Sequence, residues 1–128
     1  MSHYTGWLLA PDERTRLLDM FPPAYPKVIA EHITYKFGVK ATAILPKATI
    51  GQIVGVADDQ VGVQALVVRI GGTTRRPDGK TFHITWSLDA ARGRKPVESN
   101  QVIRDMGYQP IEEFVTIGLE PKLFRTES

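Results

Sequence analysis

His32-Ile33-Thr34-Tyr35 and His83-Ile84-Thr85-Trp86 are one phrase written twice: histidine, isoleucine, threonine, aromatic. Each copy sits in an apolar, β-prone run, and a strand sends alternate side chains to opposite faces. His32 therefore shares one side of its strand with Thr34, and His83 shares one side with Thr85. Ile33, Tyr35 and Phe37 face the other way, as do Phe82, Ile84, Trp86 and Leu88. If both strands lie in one sheet, two imidazoles and two hydroxyls point into a common space. Average composition places this pattern after a given histidine on the order of one time in a hundred, yet two of the three histidines carry it. A lone histidine in a strand is ordinarily structural; the repetition makes these two a candidate acid and base. His3 has no such context and reads as solvated.

The flanks of the two phrases give the remaining elements. Tyr4 to Ala10 reads as a strand, followed by a helix that Pro11, Asp12 and Glu13 open, since proline and acidic residues suit a first turn. Leu17, Leu18 and Phe21 supply its apolar face. Phe21-Pro22-Pro23 stops it before the first phrase strand, Val28 to Phe37. In the second half, strand Thr81 to Leu88 comes first, then a basic loop, then a short helix from Ser99 to Met106 with Gly107 placed as a left-handed cap. Glu112 to Leu119 closes as a strand. Between the halves, Ile50 to Asp58 and Val61 to Ile70 predict a hairpin around Asp58-Asp59-Gln60. Gly71-Gly72-Thr73-Thr74 and Pro77-Asp78-Gly79 make a loop before the second phrase, either a surface connection or a substrate-contacting arm. The class is α+β, in a single domain over residues 1–128.

Composition narrows the chemistry. A chain of 128 residues buries roughly two-thirds of its unfolded surface, enough for one core. It has no cysteine, which removes disulfides, thiolate metal sites and thiolate nucleophiles. Three histidines without an HExxH pattern speak against zinc, and no Gly-rich phosphate loop is present. Met1-Ser2-His3-Tyr4 opens no basic-then-apolar leader, and no segment reaches bilayer length. A soluble, cytoplasmic protein without membrane association is the expectation. The net charge of +2 hints at a polyanionic partner. Arg75, Arg76 and Lys80 precede the second phrase, and Arg92, Arg94 and Lys95 follow it, forming a positive collar. Arg75, Arg76, Arg92 and Lys95 are candidate phosphate contacts, and Lys36 is in phase with His32 and Thr34. Tyr4, Tyr25 and Tyr35 are candidates for stacking on a base, although alternation sends Tyr35, like Trp86, to the core.

Two His-apolar-Thr-apolar phrases on strands of a small α+β chain resemble the 2H phosphoesterase superfamily. Lys95-Pro96-Val97-Glu98-Ser99-Asn100 resembles in particular the branch with the cyclic phosphodiesterase domain of fungal tRNA ligases and its small phage and bacterial relatives. The likeness runs from about Tyr4 to Leu119. It implies a two-lobed, pseudo-symmetric fold with antiparallel sheets lining a central cleft and a few outer helices. The two histidines stand 51 positions apart, closer than in the larger members, which implies trimmed loops and leaves the substrate the least transferable part of the likeness.

The chemistry follows from the residue types. Opening a 2',3'-cyclic phosphodiester requires one proton to leave the nucleophile and another to reach the departing oxygen. Two imidazoles do both near neutral pH, one neutral and one protonated, and their order is open at this point. Thr34 and Thr85 would donate hydrogen bonds to the non-bridging oxygens. Neither a metal nor another cofactor is needed. The expected substrate is an RNA terminus with a 2',3'-cyclic phosphate, or alternatively a cyclic oligonucleotide messenger, with no obligatory protein partner. A non-catalytic module that binds nucleotides or RNA ends in the same cleft is the competing class.

Overall fold

A computed structural model describes residues 2–126. The elements in chain order are β1 (His3–Leu8), α1 (Pro11–Met20), β2 (Lys27–Val28), β3 (His32–Val39), β4 (Ile50–Asp58), β5 (Val63–Arg69), β6 (His83–Leu88), α2 (Glu98–Met106), β7 (Gln109–Gly118) and β8 (Glu120–Arg125). The class is α+β. All strand pairings are antiparallel and join one sheet in the order β7-β4-β5-β6-β3-β1-β8, with the short β2 also on β6.

The central strands β5 and β6 are covered on both faces. Strand β5 reads Val-Gln-Ala-Leu-Val-Val and is buried almost end to end, as expected of a strand with no solvated side. Leu66 and Val68 join the larger core with Trp7, Ile33, Ile53, Ile84, Trp86 and Leu17 of α1. Val63, Ala65 and Val67 point the other way, into a second core closed by Val102 and Ile103 of α2. Burying each of those two α2 side chains stabilises the docking by about 1.5–3 kcal/mol. We call the α2 side the front face and the α1 side the back.

Three local departures from simple alternation shape the sheet. The single strand expected over Val28 to Phe37 is broken into β2 and β3, because Ala30, buried and with φ 47°, kinks the chain between them. Pairing with β6 shifts by two residues across this break, from Val28 opposite Ser87 to Ile33 opposite Ile84. Secondly, Tyr35 is an extra residue on β3: Gly6 of β1 faces Thr34 while Thr5 faces Lys36. A bulge of this kind reverses the alternation beyond it. Thirdly, Gly107 has the positive φ expected at the end of α2, but its ψ of −152° lies outside the left-handed helical region.

The hairpin of β4 and β5 turns where the sequence places it, with Gln60 at φ 65° and Asp59 accepting the backbone N–H groups of Val61 and Val63. Strand β8 was not expected. It pairs only with β1, at the sheet edge, where Pro121 removes no needed ladder bond. The phrase strands β3 and β6 meet at the sheet's centre, and Ile33 opposite Ile84 is their only paired position. No helix among the described residues is long and apolar enough to cross a membrane.

Candidate active site

Antiparallel geometry about the Ile33–Ile84 pair sets His32 level with Thr85 and Thr34 level with His83. All four side chains line one front-face cavity of about 310 Å³, together with Tyr4, Phe37, Arg76, Lys80, Pro96, Val97 and Asn100. Among the described residues, no acidic side chain lines it. One wall is formed by Tyr4 of β1 with His32, Thr34 and Phe37 of β3. The other is the entry to α2.

The two histidines differ in environment. His83 is 8% exposed, and its Nδ1 lies 2.8 Å from the Thr81 carbonyl oxygen. A carbonyl only accepts, so Nδ1 carries the proton and Nε2 holds the lone pair. Burial pushes the His83 pKa down to about 4, with Arg76, His32 and Lys80 adding positive charge nearby and the Thr81 bond opposing them. His32 is also lowered by burial, with Glu31 opposing. Its ring lies 5.5 Å from that of Tyr4 and 5.2 Å from that of Phe124.

The two threonines differ as well. No hydrogen bond ties the Thr34 hydroxyl to any described residue. Thr85 instead donates to the Pro96 carbonyl at 3.2 Å and stands 2.9 Å from Ser99 Oγ. Since the Thr85 proton goes to Pro96, Ser99 donates to Thr85. Thr85 thereby ties β6 to the Lys95–Asn100 segment, which Glu98 braces by accepting from Arg94 and from the Lys95 backbone N–H.

Of the other anticipated contacts, Tyr4 and Arg76 line the cleft. Lys36 does not, because the Tyr35 bulge turns it to the side of its partner Thr5. The same bulge brings Phe37, expected on the opposite face, into the cleft beside Tyr4, rings stacked 5.6 Å apart. Arg75 lines a back-face hollow with Trp7, Tyr35 and Phe82. Arg92 pairs with Asp89, and neither it nor Lys95 reaches the cleft lining. Tyr25 lies elsewhere too: its hydroxyl donates to Asp58, and burial and that carboxylate raise its pKa to about 12. Tyr35 and Trp86 pack on the back core, as alternation predicts.

Sequence reasoning missed Phe37, Phe124 and Lys80 as members of the site or its wall. Lys80 was marked only as part of the charge collar. Phe124 sits on the unexpected β8 and stacks on Tyr4 at 4.8 Å, completing a ladder of three rings, Phe37, Tyr4 and Phe124, across three neighbouring strands. Phe37 is 65% exposed, an unusual outlay of aromatic surface beside a polar cleft.

Comparison of the chain with protein-family models, with curated proteins and with solved structures finds no match.

Proposed function

We propose that this protein is a metal-independent phosphodiesterase that cleaves a nucleotide phosphodiester by paired-histidine acid–base catalysis, with a two-lobed architecture of the 2H kind. The observation that carries the reading is the convergence of both His-x-Thr pairs on one cleft that Arg76 and Lys80 also line and that no acidic side chain among the described residues enters. In the hydrolytic direction, His83 Nε2 takes the proton of the attacking water, because its Nδ1–H is fixed on Thr81. His32, protonated, delivers the proton to the departing ribose oxygen. Thr34, whose hydroxyl is uncommitted, donates to a non-bridging oxygen as charge builds on phosphorus. Phe37 and Tyr4 offer the base a stacking wall. An RNA end bearing a 2',3'-cyclic phosphate fits this arrangement.

A cyclic oligonucleotide is the second reading. It is favoured by the presence of two apolar walls, aromatic at Tyr4 and Phe37 and aliphatic at Pro96 and Val97, on the cleft that holds both histidines. The test is product analysis in EDTA with nucleoside 2',3'-cyclic phosphates and a panel of cyclic di- and trinucleotides. Wild type turns over one class, and His32→Ala and His83→Ala each abolish the reaction. Tight nucleotide binding with no product from any substrate would replace the enzyme with a binding module.

A further inference from the structure

The cleft contains polar groups that the His-x-Thr pattern does not supply, and the most buried of them is Arg76. Arg76 lies on the loop between β5 and β6, lines the cavity and is only 5% exposed. Burying a guanidinium so deeply is unfavourable unless the charge is paired and hydrogen-bonded. Asp78, two residues on, provides the partner. Its Oδ1 accepts from Arg76 Nε at 3.1 Å and its Oδ2 from Arg76 Nη2 at 2.6 Å. The Lys80 backbone N–H donates to the same Oδ1 at 3.0 Å, and the Arg76 N–H bond to the Lys80 carbonyl closes the turn at 2.8 Å. The carboxylate is therefore held by the loop's own backbone, and it holds the guanidinium in turn.

Two of the five guanidinium N–H groups are used by this fork, and the remaining three, including both on Nη1, have no protein acceptor among the described residues. Meanwhile the Thr85 proton is spent on the Pro96 carbonyl. The cleft thus has one uncommitted threonine donor and, beside Lys80, one pre-oriented guanidinium that keeps three N–H groups open to a ligand.

We propose that Arg76 is the second phosphate-contacting group of this cleft, taking the part a second threonine would otherwise play, and that Asp78 is a positioning residue acting through it. This inference rests on the phosphodiesterase reading for its kinetic consequence, but not for its binding consequence. The bond-breaking step is unchanged: water oxygen bonds to phosphorus, the P–O bond to the leaving ribose oxygen breaks, His83 gains a proton and His32 loses one. Arg76 contributes charge to the non-bridging oxygens and transfers no proton.

The experiment is a double-mutant cycle on the full chain, measuring kcat and KM with the cyclic phosphate that wild type turns over, alongside binding of adenosine 3'-monophosphate as product probe. Arg76→Ala lowers kcat by about 10²–10³-fold, as removal of one oxyanion donor does, and Arg76→Lys restores part of it. Asp78→Ala lowers kcat by about 10–100-fold, the scale of lost outer-shell support, and has no further effect in the Arg76→Ala background. Losses that multiply in the double variant would assign Asp78 a purely structural role and overturn its part in the proposal. Arg76→Lys and Arg76→Ala keeping wild-type kcat and nucleotide affinity would overturn the contact itself. If wild type turns over nothing, the phosphodiesterase reading fails on its own; the contact is then judged by whether Arg76→Ala and Arg76→Lys weaken nucleotide binding, by about tenfold or more for the alanine, and unchanged affinity in both refutes it.

Discussion

Acidification tests the cleft most directly, because His83 titrates far from its ordinary value. Burial is the main cause of its fall from 6.5 to about 4, with Arg76, His32 and Lys80 contributing like charge. At 1.36 kcal/mol per pK unit this difference is worth about 3 kcal/mol. Its sign is fixed by linkage. A folded-state pKa below the unfolded one means that the unfolded chain binds more protons between pH 6.5 and about 4, so stability falls as pH drops through that window. The contribution is fully present above pH 6.5 and gone by about pH 4. Urea denaturation of wild type and His83→Gln at pH 7 and pH 4 reads it: wild type loses about 3 kcal/mol more than the glutamine variant over the interval. Proton NMR of the His83 ring gives the midpoint independently. Parallel pH dependences for the two proteins, or a His83 midpoint at pH 6 or above, would refute the reasoning. The same sign governs rate. The acid limb of kcat/KM falls near pH 4, where the base becomes protonated, and the alkaline limb lies below 6.5, because burial lowers His32 as well.

Three further outcomes are expected. Thr34→Val lowers kcat by about 10²–10³-fold with little change in KM, since it removes a donor used as charge develops; a change confined to KM would assign Thr34 to ground-state binding. Phe37→Ala, at an exposed position, leaves the urea midpoint near wild type and raises KM by an amount equivalent to about 1–3 kcal/mol for a stacked base; an unaltered KM removes the aromatic wall from substrate recognition. Gly6→Ala drives a Cβ into the Ile33 carbonyl oxygen, separating β1 from β3, and costs about 3 kcal/mol or more by denaturation; a loss under about 1 kcal/mol would show that the two backbones are not so tightly apposed.

Period-two alternation was readable wherever the strands are regular. It placed His32, Thr34, His83 and Thr85 on one face and Trp86 in the back core, and the continuous apolar character of Ala65 to Val68 announced a doubly covered strand. It failed at irregularities that have no simple sequence signal. Nothing in Thr34-Tyr35-Lys36-Phe37 marks Tyr35 as the extra residue, because a bulge is set by the register of β1 against β3 and not by local propensity. Lys36 and Phe37 were consequently exchanged between faces. Strand β8 was obscured by Pro121 and by alternating charge, both tolerated at an edge and poor indicators of a central strand. Which charged residues approach the cleft was likewise not legible, since Arg75 and Arg76 are adjacent in the chain and line hollows on opposite faces of the sheet.

The bulge at Tyr35 also bears on how such a protein changes over generations. His32 and Thr34 lie before it and Phe37 after it, so the reacting groups and the stacking wall are separated by a single-residue shift of phase. Deleting Tyr35 would close the bulge and restore regular alternation, with Lys36 still opposite Thr5 and Phe37 still opposite Tyr4, so neither His-x-Thr phrase nor the stacking wall would change face. A one-codon deletion, an event usually ruinous within a strand, is here one that the register of β1 against β3 can absorb while both the reacting groups and the aromatic ladder keep their places.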